Sequence, residues 1–265
     1  MTKNQNRYKD QGMPMESARV SNLNPHVSVD CVIFGFDEGE LKVLLIERDI
    51  PENIQNKTDF KQLCLPGNLV DDNEDLDTSA RRVLFELTNL DNIYLEQFYA
   101  FGDPQRVKDA RDVQWLSAVR DVPSARVITV AYYSLVRIDK YKPSAASFAR
   151  KAFWCPVSEV PQLAFDHNRI LEKALKSLKT NLRLQPVGFE LLPDKFTLGQ
   201  LQRVYETILG VSLDKRNFRR KILNKGFIRP LTEKQKGVPH KRARLFEFDK
   251  EKYQQLRTVE YDFEF

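Results

Sequence analysis

Two acids and an arginine with helical spacing are the first candidates for chemistry. Glu74 precedes an amphipathic segment that contains Arg82 and Glu86. Residues three and four positions apart share one face of a helix, so positions 83, 86 and 87 point the same way. Three carboxylates there would hold a divalent cation, but Val83 and Leu87 leave Glu86 as the only acid of the three. We therefore expect no metal site on this helix.

A second group of side chains is suited to binding a polyanion. Between Leu209 and Arg244 the chain has 12 Lys and Arg but only two acids. Phe218, Ile222 and Leu223 are predicted to anchor a helix to a core and to leave its other face basic. In a helix-turn-helix the N-terminal part of such a helix enters the DNA major groove, where Arg and Asn bond base edges. The candidate DNA-reading residues are Lys215, Arg216, Asn217, Arg219 and Arg220.

The segment after this helix is predicted to form a two-stranded wing. Short β-rich runs at 227–231 and 244–248 flank a basic stretch that contains Gly and Pro. Cations at the tip of a wing contact phosphates rather than bases. These candidates are Lys234, Lys236, Lys241 and Arg242. The alternative is a basic surface for protein or RNA, but no strand is rich in the aromatic residues that stack unpaired bases.

Composition and charge limit the class of protein. From Pro186 to Arg257 there are 17 Lys and Arg against 8 acids, whereas the remainder has 25 against 29. The 265 residues, 42% of them hydrophobic, exceed one typical domain. The three cysteines lie far apart without a Cys/His cluster, so we expect buried thiols. No apolar run reaches the length of about 18 residues that a membrane span needs, and we expect a soluble, cytoplasmic protein.

The first part of the chain is predicted to be a tail and one folded unit. Residues 1–26 are polar and predict a flexible tail. Residues 27–183 alternate strand and helix patterns and begin with a hairpin that turns at 37–40. A strongly apolar run at 127–136 is predicted to be a central strand of the sheet. One helix is predicted from Asp77 to Leu87, with Asn89 as its stop, and a later one is capped by Asp166.

The last third has the pattern of a separate small domain. A linker from Thr180 to Pro186 leads into residues 186–257. Thr197 and Gln200 form a capping box that opens the first helix of this domain. Ser212 is predicted to cap the second helix, across a short turn that contains Gly.

One segment of the chain resembles the Nudix box, whose pattern is G-x5-E-x7-R-E-U-x-E-E-x-G-U with U apolar. It covers residues 65–90 and reads LPGNLVDDNEDLDTSARRVLFELTNL. Glu74, Arg82 and Glu86 match the first Glu, the Arg and the first of the paired acids. On their own, these three residues fit the capping and salt bridges of an ordinary amphipathic helix equally well.

Four positions depart from the Nudix pattern. Asn68 and Asn89 replace its first and last Gly, while Val83 and Leu87 replace two of its Glu residues. Nudix hydrolases cleave pyrophosphates with divalent ions held by those acids. The resemblance therefore implies a degenerate box, and we expect no metal, no cofactor and no enzymatic activity.

Three further segments narrow the resemblance. FGDPQR at 101–106 and LAFDH at 163–167 are similar to motifs of Nudix-related transcriptional regulators of NAD and arabinose metabolism. Residues 189–223 resemble the winged-helix segment of the same regulators. The resemblance spans 27 to about 250 and implies an α+β protein: a Nudix-type α/β/α sandwich with a mixed sheet, followed by a winged helix-turn-helix domain.

The resemblance also implies a function. These regulators are homodimers that bind double-stranded operator DNA and respond to ADP-ribose or to a pentose such as L-arabinose. We therefore expect the Nudix-like domain to bind a small effector that changes DNA affinity. The main alternative is an active Nudix hydrolase of ADP-ribose or a related nucleotide with an accessory basic domain.

Effector-binding residues are predicted from their position in such a fold. They are Arg48, Pro66, Gly67, Asp103 and Arg106. His167, at a helix start, is interpreted as structural because a lone His there is most often a hydrogen-bonded residue. The polar insert at 107–125, which contains Trp115, is predicted either to cover the mouth of the pocket or to be an elaborated surface loop.

Overall fold

The fold is described by a computed structural model. It covers residues 22–37, 39–49, 63–185, 187–237 and 242–252. Most of the predicted tail and the wing residue Lys241 lie outside these ranges. Within them, no helix is both long enough and apolar enough to cross a membrane.

Strands and helices follow the predicted order, except that the polar insert at 107–125 contains a helix that was not predicted. The strands are β1 (Leu23–Asp37), β2 (Glu40–Arg48), β3 (Leu63–Cys64), β4 (Gly67–Asp71), β5 (Glu96–Phe101), β6 (Ile128–Arg137), β7 (Ala149–Pro156), β8 (Ile228–Lys234) and β9 (Arg244–Phe248). The α-helices are α1 (Leu76–Thr88), α2 (Ala110–Val119), α3 (His167–Leu184), α4 (Leu198–Leu209) and α5 (Lys215–Asn224). Short 3-10 turns lie at Val157–Glu159 and Val187–Leu191.

The first unit is built on a mixed β-sheet. Its strand order is β3-β2-β1-β6-β5, with β4 paired to β1 and β7 paired to β2. β1 is parallel to β6 and antiparallel to β2 and β4. Both β1 and β6 are almost continuously buried, which suits central strands covered on both faces. The predicted hairpin and the predicted central strand are confirmed.

Helices cover the two faces of this sheet. Successive side chains of β1 point to opposite faces, so each face presents apolar residues that a helix buries. Cys31 belongs to a buried cluster with Val83 of α1. Phe34 belongs to a second cluster with Ile170 of α3. The fold is therefore a sandwich of a mixed sheet between helices, as the sequence predicted.

Two boundaries of the first unit differ from the prediction. β1 begins at Leu23, so residues 23–26 belong to the sheet and not to the tail. α3 continues to Leu184, past the predicted linker start, because the apolar period persists and Leu182 is completely buried. By contrast, Asn89 ends α1 in a left-handed conformation with φ of 54°, as predicted.

The C-terminal unit is a helix-turn-helix with a β-hairpin wing. Thr197 and Gln200 form the predicted capping box of α4, and Gly210 ends this helix with φ of 72°. The cap predicted for α5 was wrong: Asp214, not Ser212, accepts a hydrogen bond from the Asn217 N–H at 2.7 Å. β8 and β9 pair antiparallel and form the predicted wing.

A continuous apolar core joins the two units. It extends from the α3 side of the sheet to the buried residues of α4, α5 and the wing. At Gly188 a Cβ would meet side-chain atoms of Leu182 and Tyr205 at 3.0 Å each, closer than ordinary contact, so Gly allows α3 and α4 to pack closely here. Thr207 of α4 also donates to the Gly39 carbonyl at 3.1 Å. Helix α3 therefore packs directly against the winged-helix unit.

Candidate functional site

A cavity of about 480 Å³ lies between the sheet, helix α2 and the segment that precedes α3. This volume is in the range of small-molecule sites. Its lining combines apolar rings with ionisable side chains. Those side chains include Asp30, Arg48, Arg106, Arg120, Asp121 and His167.

Three of the five predicted effector residues line this cavity: Arg48, Gly67 and Arg106. Gly67 is required because a Cβ there would lie 1.9 Å from Oδ1 of Asp30. Because Gly67 has no side chain, β4 can approach the Asp30 carboxylate closely enough to form one wall of the cavity.

The other two predicted effector residues do not line the cavity. Pro66 is buried beside it, and its carbonyl accepts a sheet-side hydrogen bond from the Cys31 N–H at 2.8 Å. Asp103 is directed away, because its carboxylate pairs with Arg169 at 3.2 Å. Asp103 instead shapes the loop by accepting from the Gln105 N–H.

Asp30 is the centre of a buried polar network. Its carboxylate accepts from the Thr129 hydroxyl at 2.7 Å and lies 3.5 Å from Nη2 of Arg106. Arg106 also donates from Nε and Nη2 to the two oxygens of Asp166, at 3.1 and 2.8 Å. One arginine therefore joins the cavity floor to the start of α3.

This pairing explains why the predicted capping by Asp166 was wrong. Asp166 occupies the N-cap position of α3, but its side chain makes no capping hydrogen bond. Both of its oxygens are taken by Arg106, since a bidentate charged pair is stronger than a cap.

His167 is held as a neutral ring. Its Nδ1 accepts from the Leu65 N–H at 2.9 Å, and Nε2 lies 3.4 Å from Oδ1 of Asp30. A ring that accepts at Nδ1 carries its proton on Nε2 and donates it to Asp30. Burial lowers the pKa of His167, which favours this neutral form. His167 thus has the structural role that the sequence indicated, and it also lines the cavity.

The guanidinium of Arg48 packs against two aromatic rings that also contact each other edge to face. Its Cζ is 4.1 Å from the ring centroid of Trp115 and 4.5 Å from that of Phe165. Burial lowers the pKa of Arg48, although Asp112 opposes this effect from 3.5 Å away. The insert at 107–125 supplies Trp115 and other residues of the lining, so it contributes to the cavity as one of the two sequence interpretations expected.

The three charged residues of the Nudix box, Glu74, Arg82 and Glu86, lie outside this cavity and bind one another. Arg82 donates to both carboxylate oxygens of Glu74, at 2.9 and 2.8 Å, and to Glu86 at 3.0 Å. Val83 and Leu87 point into the core, where they are 0% and 1% exposed. Within the described residues, no three potential metal ligands are grouped.

Most of the predicted DNA-reading residues share an open surface of α5. Lys215, Arg216, Arg219 and Arg220 are exposed, while Asn217 is half-buried. The Asn217 side-chain oxygen accepts from Arg220 at 2.9 Å.

The opposite face of α5 enters the core. Phe218 and Ile222 are 2% and 0% exposed, as predicted. Leu223 was wrongly assigned to this face. It is 43% exposed, because position 223 lies a further 100° around the helix from Ile222.

The wing presents further cations. Lys234, Lys236 and Arg242 are exposed, and Lys241 lies outside the described residues. The wing carboxylate of Glu233 is neutralised by Lys195 at 2.6 Å. The described wing surface is therefore positive, as a phosphate contact requires.

Two residues of the cavity lining, Asp30 and Phe165, were not predicted from the sequence, and neither was Asp112, which pairs with Arg48. A signal existed for Asp30, which is a lone charge within an otherwise apolar strand. Asp112 is an ordinary member of the polar insert, and nothing in its spacing marks it. Arg120 belongs to the same insert, which one of the two sequence interpretations placed at the mouth of the pocket. Phe165 lies in the recognised LAFDH motif, but its contact with Arg48 depends on its left-handed backbone, with φ of 55°.

Comparisons with known proteins agree with this architecture. The NUDIX domain model matches residues 24–174, and the model of the NrtR DNA-binding winged helix domain matches residues 188–248. The chain is also 32% identical, over 234 residues, to a protein of Acinetobacter baylyi named ADPR responsive transcriptional repressor NtrR. That alignment covers 87% of this chain and 84% of the relative.

Solved structures resemble the chain over the same length. The crystal structure of Shewanella oneidensis NrtR complexed with a 27mer DNA has a TM-score of 0.62 at 26% identity, and covers 84% of this chain and 93% of that one. The structure of Shewanella oneidensis NrtR alone gives 0.63 at 28% identity, with the same coverage. The chain therefore belongs to the Nudix family, in the NrtR group, whose members join a Nudix domain to a winged helix domain.

Proposed function

We propose that this protein is a transcriptional repressor that binds operator DNA through its winged helix and is controlled by ADP-ribose bound in the cavity. The observation that carries the proposal is the combination, in one chain, of a cationic metabolite-sized cavity and an exposed basic recognition helix. The name of the Acinetobacter baylyi relative, which describes a repressor responsive to ADPR, supports the same pairing.

ADP-ribose suits the cavity better than L-arabinose. Arg48, Arg106 and Arg120 all line it. Guanidinium groups bind phosphates by charge-assisted hydrogen bonds, and a neutral pentose offers no charge to offset their burial. The effector-binding residues in this proposal are therefore Arg48, Gly67, Arg106 and Arg120.

DNA binding is assigned to residues 186–257. In this proposal α5 lies in the major groove with Arg216 and Arg219 at base edges, while Lys234 and Lys236 hold phosphates. The related structure with a 27mer DNA supports this role for the domain. A homodimer on a two-fold operator follows naturally, since each copy provides one recognition helix.

The proposal makes the Nudix-like domain a sensor rather than a hydrolase. Val83 and Leu87 replace two acids and are buried, and Arg82 engages both Glu74 and Glu86. A hydrolase would need carboxylates free to hold a cation and activate water.

A ligand screen by thermal shift tests the sensing part of the proposal. ADP-ribose at 100 times its dissociation constant should raise the free energy of unfolding by about 2.7 kcal/mol. L-arabinose at millimolar concentration should leave the melting temperature unchanged. Stabilisation by L-arabinose and not by ADP-ribose would replace the effector proposed here with a pentose.

A mutational test addresses the DNA-binding part. The variant with alanine at 216, 217, 219 and 220 should remain folded and lose sequence-specific duplex binding. The probe is a duplex that the wild-type protein selects from a random pool. Unchanged affinity of the folded variant would remove α5 from the interface.

A further inference from the structure

Arg48 carries two buried hydrogen-bond donors that the described part of the chain leaves unsatisfied. Its side chain is 1% exposed, and neither Nε nor Nη1 has a partner there. Buried donors are nearly always satisfied, and an unpartnered cationic one is costly. Because Arg48 lines the cavity, the missing acceptors are expected from a ligand. We propose that Arg48, held against Trp115 and Phe165 in an arrangement that we call the clamp, and assisted by Arg120, binds the diphosphate of the effector directly, without a metal ion.

The clamp is rigid before any ligand binds. The Trp115 indole N–H donates to the Asp49 carbonyl at 3.0 Å, which fixes one ring. The Phe165 N–H donates to Asp112 at 2.8 Å, which fixes the other. Phe165 also has a positive φ, a strained conformation that is often stored at ligand clamps. Arg48 therefore loses little side-chain freedom when an anion binds.

The charges around the clamp leave Arg48 and Arg120 available to an anion. Arg106 is already engaged by Asp166 and Asp30. Asp112 approaches Arg48 only at 3.5 Å, the outer limit of a hydrogen bond.

The lowered pKa of Arg120 reflects its burial and, in part, the positive charges beside it in the cavity. Burial lowers its pKa to about 10; Asp30 opposes this shift, and the nearby cations Arg106 and Arg48 add to it. No hydrogen bond or ion pair of the Arg120 side chain occurs within the described ranges. A bound anion would relieve this repulsion.

The geometry favours a diphosphate over a single carboxylate. Nε and Nη1 lie on different edges of the guanidinium plane, so one carboxylate cannot reach both. A diphosphate has oxygens on several sides and two or more charges, which suits two arginines. Asp112, the acid beside Arg48, and Asp30, further along the cavity wall, are each paired with an arginine. Among the described residues no three potential metal ligands are grouped, so the part of the cavity that the structure describes offers no carboxylate cluster to hold a cation with the phosphate.

Calorimetric titration of the full chain tests this inference, which rests on the proposed function. The probes are ADP-ribose and inorganic pyrophosphate, each with and without EDTA. R48M should bind ADP-ribose at least about 30-fold more weakly than wild type and lose pyrophosphate binding, since a buried charged partner is removed. R48K keeps the charge but not the donor geometry, so its affinities should lie between those of R48M and the wild-type protein. EDTA should change nothing.

The matched control is R111M. Arg111 lies on the same helix as Trp115, is 63% exposed in its side chain and pairs with Asp109. Its replacement should leave both affinities at the wild-type value. If R48M does not fold, as judged by its thermal melt, R48K and R120M carry the test, and each should weaken pyrophosphate binding.

Three outcomes would overturn the inference. They are wild-type affinity in folded R48M, wild-type affinity in both R48K and R120M, and loss of binding in EDTA. A different result would contradict the proposed function. If ADP-ribose binding depends on Arg48 but leaves DNA affinity unchanged, the diphosphate site stands and the repressor mechanism falls.

Discussion

Restoring a carboxylate to the Nudix box should damage the fold rather than create a hydrolase. Val83→Glu tests this because Val83 is completely buried against Cys31 and its neighbours. A Glu buried in such a core has a pKa of up to about 8–9 instead of about 4.3. At pH 7.5 the shift corresponds to roughly 4 kcal/mol of lost stability from ionisation alone, at about 1.36 kcal/mol per pH unit.

This loss of roughly 4 kcal/mol is a large share of the free energy of unfolding of a domain. A typical domain has about 5–15 kcal/mol of stability, and each kcal/mol is worth about 2–4 °C in a domain of this size. We therefore expect Val83→Glu to melt about 8–16 °C below wild type. The buried Glu is already protonated in the folded state at pH 7.5, whereas in the unfolded chain it takes up its proton only as the pH approaches about 4.3, so the penalty should shrink as pH falls toward 5.

The assay is a thermal melt by circular dichroism, together with an ADP-ribose hydrolysis assay with Mg²⁺. Phe85→Glu is the matched control, because Phe85 is on the same helix and 48% exposed. It should melt within a few degrees of wild type. A stable Val83→Glu protein that hydrolyses ADP-ribose would refute the reasoning, since position 83 would then face a metal site and not the core.

Three more predictions concern the interface and the cavity. Arg216→Ala or Arg219→Ala should cost about 1–3 kcal/mol of binding free energy on the selected duplex and little on random DNA, whereas Lys234→Ala should weaken binding to both and reduce the salt slope by about one. Fluorescence anisotropy measures these affinities, and equal losses on both duplexes for Arg216→Ala would contradict base reading. Gly67→Ala should place a methyl group against Asp30 and weaken ADP-ribose binding in calorimetry, while Gly102→Ala, where a Cβ meets nothing closer than 3.8 Å, should not. Because burial lowers the folded-state pKa of His167, the unfolded chain takes up its proton first as pH falls below about 6.5, so urea stability should decrease between pH 7 and 5, and less so in His167→Gln.

Local sequence patterns predicted the elements of this fold well. The hairpin, the helix ended by Asn89 and the capping box at Thr197 all depend on residues close together in the chain. Boundaries were less certain where tertiary contacts decide them. β1 starts at Leu23 because it pairs with β4, and α3 extends because Leu182 is buried against the C-terminal unit.

The cavity was only partly predictable because its residues meet through the tertiary structure. Arg48 and Arg106 were predicted to bind the effector from their position in a resembling fold. Their ion-pair partners, Asp112 and Asp166, are about 60 residues away in the chain, so the sequence does not show these pairs. Asp166 was read as a local helix cap, a reasonable expectation until a buried arginine competes for it. Spacing alone does not show such competition.

The central claim is that one chain reads DNA and responds to ADP-ribose. The most direct test is the affinity of the wild-type protein for its selected duplex, measured at fixed salt with and without saturating ADP-ribose. We predict that ADP-ribose weakens binding by about 5- to 150-fold, which corresponds to a coupling of about 1–3 kcal/mol. An affinity that ADP-ribose leaves unchanged, in protein shown by calorimetry to be saturated with it, would contradict the account.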